Sequence, residues 1–128
     1  MTQNMFKAVS NSHTALQSMW SSFAALGKGR LGVKLGEQIA VAIANSNRCE
    51  YCLAAHTVLG QAAGASAEEM QAVQRAQVEA GDLHGLRELG FDDELIVEIM
   101  AHVALNVYTN YINVALDVPV DFPKVALV

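Results

Sequence analysis

Cys49, Cys52 and His56 follow one another at steps of three and four residues, so on a helix they share one stripe. Glu37 lies twelve residues upstream of the first cysteine, in the preceding helical segment. A dithiol beside an imidazole and a carboxylate suits thiol redox chemistry. The reactive species is the thiolate, and an unperturbed thiol, with a pKa near 8.5, is mostly protonated at neutral pH. The turn residues Asn45, Ser46 and Asn47 offer caps for the next helix, which puts Cys49 at its first turn and Cys52 one turn in. Free backbone N–H groups and the helix dipole stabilise a thiolate there, and His56 or Arg48 adds positive charge.

Other uses of the C-x-x-C-x-x-x-H cluster compete with this one. A structural zinc site takes four ligands, usually from two separate pairs. The second pair is missing, although Cys49, Cys52, His56 and Glu37 together would make four. Haem attachment needs a histidine directly after the second cysteine, where this chain has Leu53. The thioredoxin form of the motif needs flanking strands, and no convincing strand pattern exists here. A buried structural cysteine pair would leave the aligned histidine unexplained.

The elements that must position these groups all read as helical, and the fold class is all-α. Phe6, Val9, His13, Leu16, Trp20 and Phe23 recur at helical steps and predict one amphipathic helix, capped by Thr2 or Asn4. On that stripe His13 reads as a core or interface histidine. The stretch Gly27-Lys28-Gly29-Arg30 lacks the Walker spacing and reads as a loop. A second helix is expected over 31–44, where Glu37 is either a carboxylate in apolar surroundings or an exposed charge near the helix start. Ser66-Ala67-Glu68-Glu69 has the form of a capping box, starting a helix to about Ala80. A short helix follows over 83–89. Asp92 caps the longest one, over about 93–116, with Leu95, Ile96, Ile99, Met100, Val103 and Val107 as its apolar face. The last eleven residues hold two prolines and should be extended.

His102, Asn106, Thr109 and Asn110 add a polar stripe to that last helix. It reads as a hydrogen-bond network between helices or subunits, because buried polar groups need partners. A pocket role for His102 is the lesser alternative, and Tyr51, between the cysteines, would donate a hydrogen bond or pack. His84 reads as exposed and without function. The methionines, Met5, Met19, Met70 and Met100 among them, read as packing.

The chain has 128 residues, which suits a single domain over 1–128. More than half of them, 52%, are hydrophobic and only 16% charged, a balance that fits a core-rich or oligomeric protein. A net charge of −5 without an acidic run argues against nucleic acid as a partner. The longest apolar run, 39–44, is too short for a bilayer, so no membrane partner is expected. The opening residues carry no secretory signal pattern, and the two cysteines suit a reducing cytoplasm.

The block N-R-C-E-Y-C-L-A-A-H-T with Glu37 upstream, continued by L-G-Q-A-A-G-A-S, resembles the carboxymuconolactone decarboxylase family in its alkyl hydroperoxidase D-like branch. The resemblance resumes at G-F-D-D-E-L-I-V-E-I-M-A-H-V-A-L-N-V-Y-T-N-Y-I-N. It implies an all-helical homo-oligomer, trimer or hexamer, that reduces a hydroperoxide substrate without cofactor or metal. It also implies that Cys52 is the peroxidatic cysteine and Cys49 the resolving one, which a thiol or dithiol donor protein returns to the reduced state. Glu37 and His56 then form the proton relay. The chain departs from the branch in carrying Tyr51 where some members have a second histidine, and in a shortened segment before the last helix. Two alternatives remain: a decarboxylase-like proton transfer on a small cyclic acid through Glu37 and His56, and a non-enzymatic metal-binding oligomer.

Overall fold

Ser10, Asn11 and Ser12 split the first expected helix in two, giving α1 (Asn4–Val9) and α2 (His13–Leu26). Short hydroxyl and amide side chains compete for backbone partners, and here they win. Ser12 caps α2 by accepting the N–H of Ala15, while Asn11 and Ser10 turn back onto carbonyls of α1. Gln3, not Asn4, is the N-cap of α1 and makes no side-chain cap, whereas Thr2 lies outside the described residues. The computed structural model describes residues 3–76 and 82–128, and among them finds helices and no strand.

The break re-phases the helices, and this overturns part of the expected core. Met19 is fully buried, whereas His13 is exposed and Trp20 stands 62% exposed. The glycine stretch after α2 is a loop, as its residues imply. It is pinned by Glu98, whose carboxylate accepts the N–H groups of Arg30 at 3.0 Å and Leu31 at 2.8 Å.

The third helix, α3 (Val33–Ser46), and the fourth, α4 (Glu50–Ala62), pack side by side at the centre of the fold. Gly60 makes the next contact close: a Cβ there would collide with the tip of Met70 on α5 (Ala67–Gln74). α5 carries the full capping box at Ser66 and Glu69. It ends at Gln74 rather than near Ala80, and residues 77–81, where the shortened segment falls, lie outside the described residues. Next come α6 (Asp82–Glu88) and α7 (Asp93–Ala115). The side chain of His84 is not among those described.

Asp92 caps α7 through the N–H of Leu95, and α7 lays one face on α2, α3 and α4. That face is less apolar than expected: it buries Ile96, Ile99 and Leu105 beside Asn106, Thr109, Asn110 and Asn113. Met100 is half-exposed rather than packed. By length and composition alone α7 is apolar enough to cross a membrane, which the apolar run at 39–44 is not. The buried asparagines of α7 face the bundle.

The tail is extended, as its prolines require, and wraps back over the bundle. Val120, Phe122, Val125 and Leu127 pack against the core. Asn45, at the end of α3, both donates to and accepts from the backbone of Val128, and Gln74 donates to the carbonyl of Ala126.

Candidate functional site

Cys49 is itself the N-cap of α4, in place of the asparagines and serine before it. Its Sγ accepts the backbone N–H of Cys52 at 3.3 Å. The turn that delivers it bends at Arg48, a non-glycine residue at φ 56°. The Arg48 guanidinium donates to the carbonyl of Val128. Both cysteines are buried free thiols.

Cys52 sits one turn into α4 and meets α7. Asn113 donates through Nδ2 to Cys52 Sγ at 3.1 Å. Asn110, one turn earlier, accepts from Asn47 Nδ2 at 3.1 Å, and its own Nδ2 is buried without a hydrogen-bond partner. The bond from Asn113 favours the thiolate. Cys52 is drawn down to about 6 by its hydrogen bond with Cys49, the Asn113 amide, the field of His56 and the Asn110 amide, against burial. Cys49 moves the opposite way. Its partner's sulfur, burial and the charge on Cys52 all raise it.

Glu37 and His56 meet across α3 and α4, with His56 Nδ1 2.6 Å from Glu37 Oε2. Their side chains are only 18% and 15% exposed. Glu37 is therefore a carboxylate held in an apolar setting and paired, not a solvated charge at a helix start.

The pair and Cys52 line one chamber of about 410 Å³, whose remaining wall is mostly apolar, with Phe6, Trp20, Phe23 and Leu59 prominent. A chamber this size with a few convergent polar groups is the usual form of a small-molecule site. Cys49 does not line it; it borders a separate groove with Arg48, Glu50, Asp117 and Lys124. Tyr51 lines the main chamber, but its hydroxyl oxygen accepts the N–H of Met5 at 3.2 Å, and its ring stands edge-on to Phe122. Burial pushes that hydroxyl above its ordinary range.

His102 lies behind the pair. A second chamber of about 210 Å³ is bounded by Glu37, His56, His102 and Asn106, and His102 Nε2 is buried without a partner. Of the expected polar stripe, Asn106 bonds back to the carbonyl of His102, and only Asn110 reaches another helix, at Asn47. Among the described residues no three His, Cys, Asp or Glu side chains converge to hold a metal ion, so the four-ligand zinc arrangement does not form. The sequence reading passed over Asn113. The signal was there, because Asn106, Asn110 and Asn113 recur at helical steps inside an apolar helix, and buried amides need partners.

The sequence pattern of the carboxymuconolactone decarboxylase family matches residues 14–84, more than half of the chain, and the chain belongs to that family. That span holds Glu37, both cysteines and His56. Among solved structures, the crystal structure of an uncharacterized peroxidase-related protein from Silicibacter sp. TM1040 is similar. It superposes with a TM-score of 0.67 at 24% identity, covering 98% of this chain and 78% of that one. Its likeness carries the fold through the last helix, beyond the family match. No curated protein matches the chain.

Proposed function

We propose that this protein is a thiol peroxidase of the alkyl hydroperoxidase D-like branch, reducing hydroperoxides through a Cys49–Cys52 redox pair. The observation that carries the reading is the placement of Cys52. Cys52 lines the chamber that also holds the Glu37–His56 pair, while Cys49 sits one turn behind it.

The chemistry follows from that placement. The Cys52 thiolate attacks the distal peroxide oxygen, and the O–O bond breaks. The leaving alkoxide takes a proton relayed by His56 and Glu37 and departs as the alcohol. Cys52 is left as a sulfenic acid. The Cys49 thiol then attacks the Cys52 sulfur, forming the S–S bond and releasing water. A thiol or dithiol donor protein reduces the disulfide by exchange and is itself oxidised. Cys49, bordering the outer groove, is the sulfur through which that donor enters. The divergent acidities of the two thiols support this division of roles, since the thiolate is the nucleophile. The exposed Val97, Tyr111 and Val114 of α7 suit a homo-oligomer, and a redox-cycling dithiol suits a cytoplasmic setting.

Intact mass after adding a stoichiometric organic hydroperoxide tests the reading. The expected result is loss of both free thiols with a mass decrease of two hydrogens. Two thiols still free would overturn it.

A second reading has one observation in its favour: Glu37 and His56 also face the second chamber with His102. Proton transfer on a small cyclic acid would use that side of the pair. Turnover of such an acid by a variant lacking both cysteines would establish it.

A further inference from the structure

The thiol chamber shares part of its aromatic wall with a second cavity. Gln3, Phe6 and Trp20 also line an open groove of about 870 Å³ that runs between α1 and α2. Phe6 stands in this shared wall, with its ring edge-on to Trp20 at 5.4 Å and to Phe23 at 6.4 Å. Large indole surface left 62% exposed beside a cavity is a mark of ligand contact.

The far part of the groove changes character. Phe6, Leu16 and Trp20 give it apolar walls, while Lys7 and His13 supply its only ionisable groups, and both are basic. The Lys7 ammonium donates to Asn4 Oδ1 and meets no carboxylate among the described residues. Asp121, at the start of α1, accepts the N–H of Asn4. In a chain of net charge −5, an apolar groove ending in two basic side chains selects for one polarity of ligand.

We propose that chamber and groove together take one extended amphipathic substrate, a fatty-acid hydroperoxide. Its peroxide group reaches Cys52, its chain lies along Phe6 and Trp20, and its carboxylate sits near Lys7 and His13. The inference names the substrate class of the peroxidase reading and rests on it.

Trp20 is the only tryptophan in the chain, so its fluorescence reports occupancy of the groove directly. Laurate, below its micellar concentration, should shift the emission to the blue with saturation. Dodecan-1-ol, of equal chain length and no charge, should bind more weakly. Because an exposed charge pair changes affinity by up to about fivefold, the double variant Lys7→Glu/His13→Glu should weaken laurate by roughly tenfold. Binding of the alcohol should be unchanged. A missing shift, or equal losses for acid and alcohol, would overturn the proposal. So would a shift seen only with anionic phospholipid vesicles, which would reassign the groove to a membrane surface. Laurate carries no peroxide, so failure here is separate from failure of the disulfide to form.

Discussion

The side-chain amide of Asn113 donates to the sulfur of Cys52 at 3.1 Å, tying α7 to α4 across 61 residues of sequence. A donor aimed at a buried sulfur favours its anion, and hydrogen bonds to charged groups contribute about 1.5–3 kcal/mol. Asn113→Leu should therefore raise the Cys52 pKa by about one to two units. The rate of Cys52 alkylation by iodoacetamide, followed against pH, reads this directly. Asn113→Asp should raise it further, because the new carboxylate opposes the thiolate. An unchanged profile in both variants would remove Asn113 from the site.

The same thiolate makes stability depend on pH. Cys52 ionises at about 6 in the folded chain, below the ordinary thiol value. Between those two values the unfolded chain binds more protons than the folded one, so stability rises with pH. The contribution is complete above the unfolded thiol value, near 8.5, and is lost as pH falls through about 6. Cys49, held protonated by its partner, works in the opposite sense above the ordinary thiol value, where only the unfolded chain ionises it. Urea midpoints of wild type and Cys52→Ser should diverge from pH 6 to 8.5, by at most about 1.4 kcal/mol per unit. A constant difference would contradict a low-pKa Cys52.

Glu37 orients the imidazole opposite it at 2.6 Å. Glu37→Gln keeps the shape and a hydrogen bond but removes the carboxylate. Proton transfer by positioned groups supplies about 10²- to 10⁴-fold in rate, so kcat/KM for hydroperoxide should fall by about a hundredfold or more. Circular dichroism and the melting temperature should change little. Full peroxide turnover in this variant would exclude the relay.

How much of this was legible in the sequence depended on how local each signal was. Cys52 and His56 lie one turn apart on one helix, so their spacing alone put them on one face, whereas Cys49, expected on the same stripe, is the N-cap and borders a separate groove. Ser66 and Asp92 announced their helices because capping is a three-residue interaction. Glu37 was ambiguous by spacing, and only the packing of α3 on α4 brings it to His56. The break at Ser10-Asn11-Ser12 was hidden because the apolar steps continue across it. Turn-forming side chains outweighed periodicity there, and Trp20 and His13 went to the surface as a result. The contact of Asn113 with Cys52 is purely tertiary, so spacing along the chain carries no trace of the partner.

Gly60 offers a last test, one that separates packing from chemistry. A Cβ at this position would lie 2.8 Å from Met70 Sδ and collide with its terminal methyl, but would meet Glu37 Cβ at 3.4 Å, an ordinary contact. Gly60→Ala should thus overpack the α4–α5 contact and cost about 1–3 kcal/mol. Met70 is buried, so Met70→Ala alone should cost about 2–5 kcal/mol through the cavity it leaves. Each change relieves the other, and the double variant should be less destabilised than the sum of the two, as chemical denaturation would show. The Cys52 alkylation profile should be the same in all three variants, because Gly60 is two turns beyond the cysteine and its new methyl group would touch Met70 and Glu37 Cβ rather than either cysteine sulfur. A shifted thiol profile in Gly60→Ala would mean that the α4–α5 contact, and not only α7, sets the chemistry of the site.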